Sequence, residues 1–292
     1  MQPNVAGFFD EETFTVSYLV ADPATKSCAI IDSVLDFDPV SGRTKQRSAE
    51  RLLTHIAAQA LKVEWVLETH VHADHLSACD HFKTKFDSKL GIGEHVATVQ
   101  RTFGKIFNAG PEIARDGSQF DRLFKDGDSY TIGTMTAHAM LTPGHTPACM
   151  THVIGNAAFV GDTLFMPDAG SARADFPGGD AATLYRSIRR LLSLPAETRL
   201  FMCHDYKAPG RDQFVWETSV AEEREKNVHI RDGVSEPDFV EMRRKRDATL
   251  AAPVLLLPAI QVNIRAGKLP EPEANGSRYL KIPMRLSPEL ET

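Results

Sequence analysis

The stretch THVHADH, residues 69–75, places His70, His72, Asp74 and His75 within one short run of a chain that has only 11 histidines in 292 residues. Imidazole nitrogens and carboxylate oxygens bind divalent ions of borderline hardness, and holding such an ion takes several of them converging from separate segments. Imidazoles at i and i+2 followed by an adjacent Asp-His pair make a chelating pattern, which a functionless surface run of histidine has no reason to keep. Three more residues of ligating type stand at turns: His145 in TPGHTP, Asp162 in VGDTL and His204 in CHDY. Alone, His145 and Asp162 read as ordinary turn chemistry, because Pro-Gly and Gly-Asp pairs are common in turns. Beside the cluster they gain weight as ligands. His55, His81, His95, His138, His152 and His229 lack such a context and read as core or surface groups. The cysteines Cys28, Cys79, Cys149 and Cys203 show no C-x-x-C pairing, so they read as small buried hydrophobes in a reducing compartment.

Positioning seven such side chains requires a framework, and the sequence supplies alternating strand and helix patterns. TFTVSYLV (13–20) and SCAIID (27–32) are apolar and β-branched around the turn-like ADPATK, which predicts an early hairpin. SAERLLTHIAAQAL puts Leu52, Leu53, Ile56, Ala57 and Ala60 on one helical face behind a possible Ser48 cap, and VEWVLET follows as a buried strand. The histidine cluster comes directly after that strand, in the crevice beyond a strand's carboxyl end where ligands of α/β folds gather. Residues 130–165 read as short strands broken at Pro143-Gly144, Gly155-Asn156 and Gly161-Asp162. DAATLYRSIRRLLSL has helical spacing of Leu184, Ile188, Leu191 and Leu192, and RLFMCHDY reads as a strand running to His204. From about residue 231 the composition shifts to a charged helix, EPDFVEMRRKRDATL, and a proline-broken stretch. The expected organisation is one domain over 1–230 with residues 231–292 as an extension packed on the main body.

THVHADH, TPGHTP, VGDTLF and CHDY, in this order, resemble the metallo-β-lactamase fold superfamily over about residues 10–230. The resemblance implies an α/β chain folded as a four-layer αββα sandwich, with a metal site at one edge of its two sheets. Within that superfamily, GSARADFPGGDAATLYRSI (170–188), CHDYKAPGR (203–211) and SVAEEREKN (219–227) resemble the persulfide dioxygenases, the branch that includes the protein defective in ethylmalonic encephalopathy. The C-terminal stretch is similar to that of the longer-tailed bacterial members. By this resemblance His70, His145 and Asp162 would hold one Fe(II) per chain, a two-histidine, one-carboxylate face with positions left for dioxygen and substrate. The implied reaction oxidises the outer sulfur of glutathione persulfide with O2 and water, giving sulfite and glutathione. Arg173 and Tyr206 would border the substrate, one as a forked donor for a carboxylate and the other as a hydroxyl in the cleft. Animal members commonly carry cysteine in the segment where this chain has Ser171, Ala172 and Ala174, so no thiol role is expected there.

His72, Asp74, His75 and His204 have two readings. In the dioxygenase they would be hydrogen-bonding groups that orient the ligands. In glyoxalase II, a dinuclear thioester hydrolase, the corresponding residues complete a two-metal set that activates a bridging water. Spacing leaves both open; GSARADFPGGD, HDYKAPGR and the lack of a basic helical domain after residue 210 favour the dioxygenase. A scaffold that keeps the fold without chemistry would have little reason to retain such a ligand set. The formal charge of −6, from 33 basic and 39 acidic residues, argues against nucleic acid and anionic lipid as partners. No membrane-length apolar run and no export-type start are visible, so a cytoplasmic location is expected. A homodimer is an expectation from the family alone.

Overall fold

The computed structural model describes residues 2–284. β1 (Asn4–Asp10), β2 (Thr15–Ala21) and β3 (Ser27–Ile31) form an antiparallel meander, the last two being the hairpin expected from the sequence. β4 (Val34–Asp38) and β5 (Arg43–Lys45) pair and lead into α1 (Arg47–Gln59), after which β6 (Lys62–Leu67) returns parallel to β3. The helix starts at Arg47 with Gln46 in the cap position, and the Ser48 hydroxyl, read as a cap, instead donates to Asp36 Oδ1 at 2.8 Å. β7 (Leu76–Ser77) pairs with β4, and α2 (Cys79–Phe86), β8 (Lys89–Gly93), α3 (Val96–Ile106) and β9 (Arg122–Phe124) extend the first sheet in the order β1-β2-β3-β6-β8-β9.

The second sheet opens with β10 (Ser129–Ile132), β11 (Met135–Leu141), β12 (Met150–Ile154) and β13 (Ala157–Phe159), all antiparallel. α4 (Ala181–Leu191) crosses to β14 (Arg199–Phe201), which lies parallel to β13, and β15 (Glu217–Ser219) closes this sheet. α5 (Val220–Lys226), α6 (Glu236–Asp247) and α7 (Leu256–Asn263) complete the order. α7 forms in a stretch whose prolines read as breaks, because Pro258 falls in its first turn, where a missing N–H has no helical partner to lose.

Strand alternation explains the layering. Val16, Tyr18 and Val20 of β2 share a core with Ile154, Phe159 and Phe201 of the other sheet. The intervening Leu19 joins Leu52 and Ile56 of α1, Phe82 of α2, Val99 of α3 and Ile260 of α7. On the far side Ala158 and Leu200 pack on Leu184, Ile188 and Leu191 of α4 and on Phe239 of α6. The layers therefore run helix, sheet, sheet, helix, the αββα sandwich. Each fully buried leucine, isoleucine or phenylalanine contributes about 1.5–3 kcal/mol from leaving water. Among the described residues no helix is long and apolar enough to cross a membrane.

Candidate metal centre

Strand ends deliver the candidate ligands. β6 runs into His70, the β11–β12 turn carries His145, β13 runs into Asp162 and β14 into His204. Two glycines let these turns close on each other. Gly144, at φ +135°, has no room for a Cβ, which would collide with the backbone of Leu184, so the Pro143–His145 turn sits directly on α4. Ser187 Oγ donates to Pro143 O at 2.6 Å and Asp180 N to Gly144 O at 2.8 Å, fixing that seat. Gly161, at φ +52°, would place a Cβ 2.5 Å from Thr69 Oγ1, so its bareness brings the Gly-Asp turn against the histidine loop.

His70, His145 and Asp162, all buried, each offer a ligand atom within 4.8 Å of the others. The hydrogen bonds behind them define which nitrogen faces inward. His145 Nδ1 lies 2.8 Å from the Arg173 carbonyl, which can only accept, so Nδ1 carries the hydrogen and Nε2 presents a lone pair. The Thr69 hydroxyl donates to Asp32 Oδ2 at 2.9 Å and therefore accepts from His70 Nδ1 at 3.0 Å. That leaves His70 Nε2 buried without a hydrogen-bond partner, as is Asp162 Oδ1. A buried polar atom left unpaired costs roughly 1–3 kcal/mol, and a divalent ion among two imidazole lone pairs and a carboxylate would relieve that cost. Burial, with His72 and His145 nearby, pushes the His70 pKa well below its ordinary value and keeps the neutral, ligating form. The donor set fits a metal ion.

The remaining cluster residues lie beside this group. His72 Nε2 donates to Asp32 Oδ1 at 2.9 Å, with Glu68 Oε2 at 3.6 Å. Burial opposes charge on His72, yet Asp32 and Glu68 outweigh it and hold its pKa up at about 10. Burial raises Glu68 to about 8, and Ser77 Oγ donates to it at 2.8 Å. Asp74 Oδ2 lies 3.3 Å from His75 Nδ1 and 3.4 Å from His204 Nε2, which in turn is 3.3 Å from Asp162 Oδ1. Thr15 Oγ1 stands between His75 Nδ1 and His204 Nδ1 at 3.3 and 3.4 Å. All seven sequence candidates are thus gathered at one place.

The centre opens on a cleft of about 870 Å³ walled by Phe14, Phe165, Phe176, Tyr206 and Arg173. Tyr206 stacks on His204, ring centroids 5.6 Å apart and 17° from parallel, and is 49% exposed. Arg173 lines the cleft, but its guanidinium is forked onto Asp175 at 2.6 and 2.7 Å and donates to Ala251 O at 2.7 Å. His152 meets the Tyr130 hydroxyl at 2.9 Å, and His229, which lines the cleft, accepts at Nδ1 from Ser171 N at 3.0 Å. All four cysteines are buried and free, and burial pushes Cys28 and Cys149 up to about 12.

Sequence reasoning passed over Thr15, Asp32, Glu68, Thr69 and Asn263. Asp32 left a signal, an acidic residue closing a predicted strand; it adopts φ +50°, uncommon outside glycine. Asn263 left none. From α7 its Nδ2 donates to the carbonyls of His72 and His75 at 2.9 and 2.8 Å, and its Oδ1 accepts from Ser77 N at 2.8 Å.

The family model of the metallo-beta-lactamase superfamily matches residues 11–204. A probable metallo-hydrolase of Burkholderia pseudomallei is 60% identical, over 96% of this chain and 98% of that protein. Glyoxylase B2 of Dictyostelium discoideum is 48% identical over 95% of each chain. The mitochondrial persulfide dioxygenase ETHE1 of Bos taurus is 27% identical over 89% of this chain and 87% of that one. Some relatives at 52% identity are longer, the chain spanning 65% of their length. In three dimensions the crystal structure of ETHE1 from Myxococcus xanthus matches with a TM-score of 0.72 at 29% identity, covering 91% of this chain and 100% of that one. The chain belongs to the metallo-β-lactamase superfamily, and its likeness to ETHE1 in sequence and in fold supports the ETHE1-like branch.

Proposed function

We propose that this chain is an Fe(II)-dependent persulfide dioxygenase in which His70, His145 and Asp162 hold one iron. The observation that carries the reading is the buried group of two Nδ1-protonated histidines and one carboxylate, with His70 Nε2 left without a hydrogen-bond partner. Bound there, iron supplies open coordination positions and the redox chemistry that dioxygen requires. The overall reaction takes glutathione persulfide, dioxygen and water to glutathione, sulfite and two protons. The sulfur–sulfur bond breaks, the glutathione sulfur takes a proton, and four electrons pass from the persulfide to dioxygen.

The chain's own groups do the rest. Phe14 and Phe165, against Tyr206, and Phe176, against His145, give the cleft apolar walls that keep bulk water from the reacting sulfur. The Tyr206 hydroxyl borders the substrate, and Arg173 turns towards a substrate carboxylate those N–H groups that Asp175 and Ala251 leave unused. Asp32 and Thr69 hold the His70 tautomer, and the Arg173 carbonyl holds that of His145.

A dinuclear thioester hydrolase is the second reading. It is favoured by His75 Nε2, which has no hydrogen-bond partner, by His204 Nε2 lying between the Asp74 and Asp162 carboxylates, and by the likeness to a protein named Glyoxylase B2. Metal content per chain, together with oxygen uptake on glutathione persulfide against hydrolysis of a glutathione thioester, separates the two. About one iron with persulfide-dependent oxygen uptake is expected; two metals with thioesterase activity would overturn the proposal.

A further inference from the structure

α6 carries a buried ion pair that the reaction does not use. Arg243 is 2% and Asp247 6% exposed, with Arg243 Nε at 3.0 Å and Nη2 at 2.8 Å from Asp247 Oδ1. Taking two charges out of water is costly, and replacing such a pair by apolar residues of similar volume is often neutral or stabilising. A pair of this kind is weakly explained by stability alone.

Its other contacts all fall on one short backbone segment. Arg243 Nη1 donates to Ser171 O at 3.0 Å and lies 3.3 Å from Ser171 Oγ. Asp247 Oδ2 accepts from Ala174 N at 3.0 Å. These two anchors bracket Arg173, whose guanidinium adds a third tie to the Ala251 carbonyl just beyond α6. At the centre of the bracketed segment, the Arg173 carbonyl accepts from His145 Nδ1 at 2.8 Å. A shift of the segment would therefore rotate the imidazole or release its tautomer.

We propose that the Arg243–Asp247 pair is a positioning device for His145, acting through the backbone of residues 171–174. The inference rests on His145 being a metal ligand. The guanidinium fork and the carboxylate fix Ser171 and Ala174 in space, and the carbonyl between them aims His145 Nε2 at the ion. Partners that orient a ligating histidine typically change metal affinity by roughly 10–100-fold when removed.

The test uses the full chain with cobalt(II) as an optical probe, its affinity measured by chelator competition. Three proteins are compared: wild type, His145→Ala, and the double variant Arg243→Met with Asp247→Leu, which removes both charges and puts apolar side chains in their place. The double variant also takes the partners of Ser171 O and Ala174 N away, so it is expected to stay folded without metal at a midpoint below wild type, to bind cobalt about 10–100-fold more weakly, and to show an altered visible spectrum. Binding within twofold of wild type with an unchanged spectrum, while His145→Ala loses the metal, overturns the proposal and leaves the ligand assignment standing. Full cobalt binding by His145→Ala removes the ligand assignment, and the proposal with it. Should the double variant not fold, Arg243→Lys serves in its place, since lysine keeps the charge opposite Asp247 and gives up the planar fork. Weaker cobalt binding is then expected, and unchanged affinity and spectrum overturn the proposal.

Discussion

Asp32 accepts from Thr69 N, Thr69 Oγ1 and His72 Nε2, so a single buried carboxylate governs two imidazoles at once. Removing it leaves His72 with only the Glu68 carboxyl, 3.6 Å away, opposite its charge. Asp32→Ala is expected to lose about 3–5 kcal/mol of stability in urea unfolding and to empty the metal centre; unchanged stability with full metal content would contradict this account. On the proposed assignment the cluster separates by role: Asp162→Ala should abolish metal binding, whereas His204→Ala should retain bound metal, read by metal analysis after gel filtration. Equal loss in both variants would favour the two-metal arrangement. Away from the metal, burial lowers His152 from 6.5 to about 4. A base whose folded pKa lies below its unfolded value resists protonation only when folded. Its contribution is intact above pH 6.5 and falls away as the pH drops towards 4, by roughly 3 kcal/mol in all. His152→Gln should flatten that acid slope in unfolding measured between pH 7 and 4; an identical slope would show that other groups cause it. The candidate ligands could be picked out in the sequence because metal chemistry accepts few side-chain types, and the fold brings them together. Thr69 and Asn263 could not, because a hydrogen-bonding partner is chosen by tertiary proximity.

Turns and helices decide whether the ligands meet. Gly144→Ala would force a Cβ into the Leu184 backbone, and Gly161→Ala would press one on Thr69 while holding φ near +52°. Each is expected to cost at least about 1–3 kcal/mol of backbone strain and to weaken metal binding, since both turns carry a ligand. Calorimetry with and without metal checks this; wild-type midpoints in both states would mean that the close approach is unimportant. Leu184→Ala should lose about 2–5 kcal/mol through a cavity under the same turn. α1 and α4 were readable from helical periodicity, the early hairpin from apolar β-branched runs around a turn, and α6 from its charged composition. α7 was missed because its prolines concealed a helix built mainly on apolar contacts, and His204 lies beyond the short β14 rather than on it, held by a lone bridge to Thr15.

At the scale of the molecule, ligands from the histidine loop and from the second sheet are joined only when both halves are folded, so metal binding should couple to global stability. An ion at a hundred times its dissociation constant would add about 2.7 kcal/mol, and chelation should lower the thermal midpoint accordingly; no dependence on chelator would argue against a site formed only in the native state. We expect a chain cut after residue 230 to be insoluble or unfolded, because Phe239 and Ile260 belong to the cores on opposite faces of the sandwich. Well-behaved folding of the shortened chain would show that the extension is dispensable. Asn263 has one more consequence. It grips the carbonyls of His72 and His75, yet it leaves the ribosome after every residue that could touch the ion. A nascent chain thus presents all the candidate coordinating groups before the clasp that steadies their loop has been synthesised.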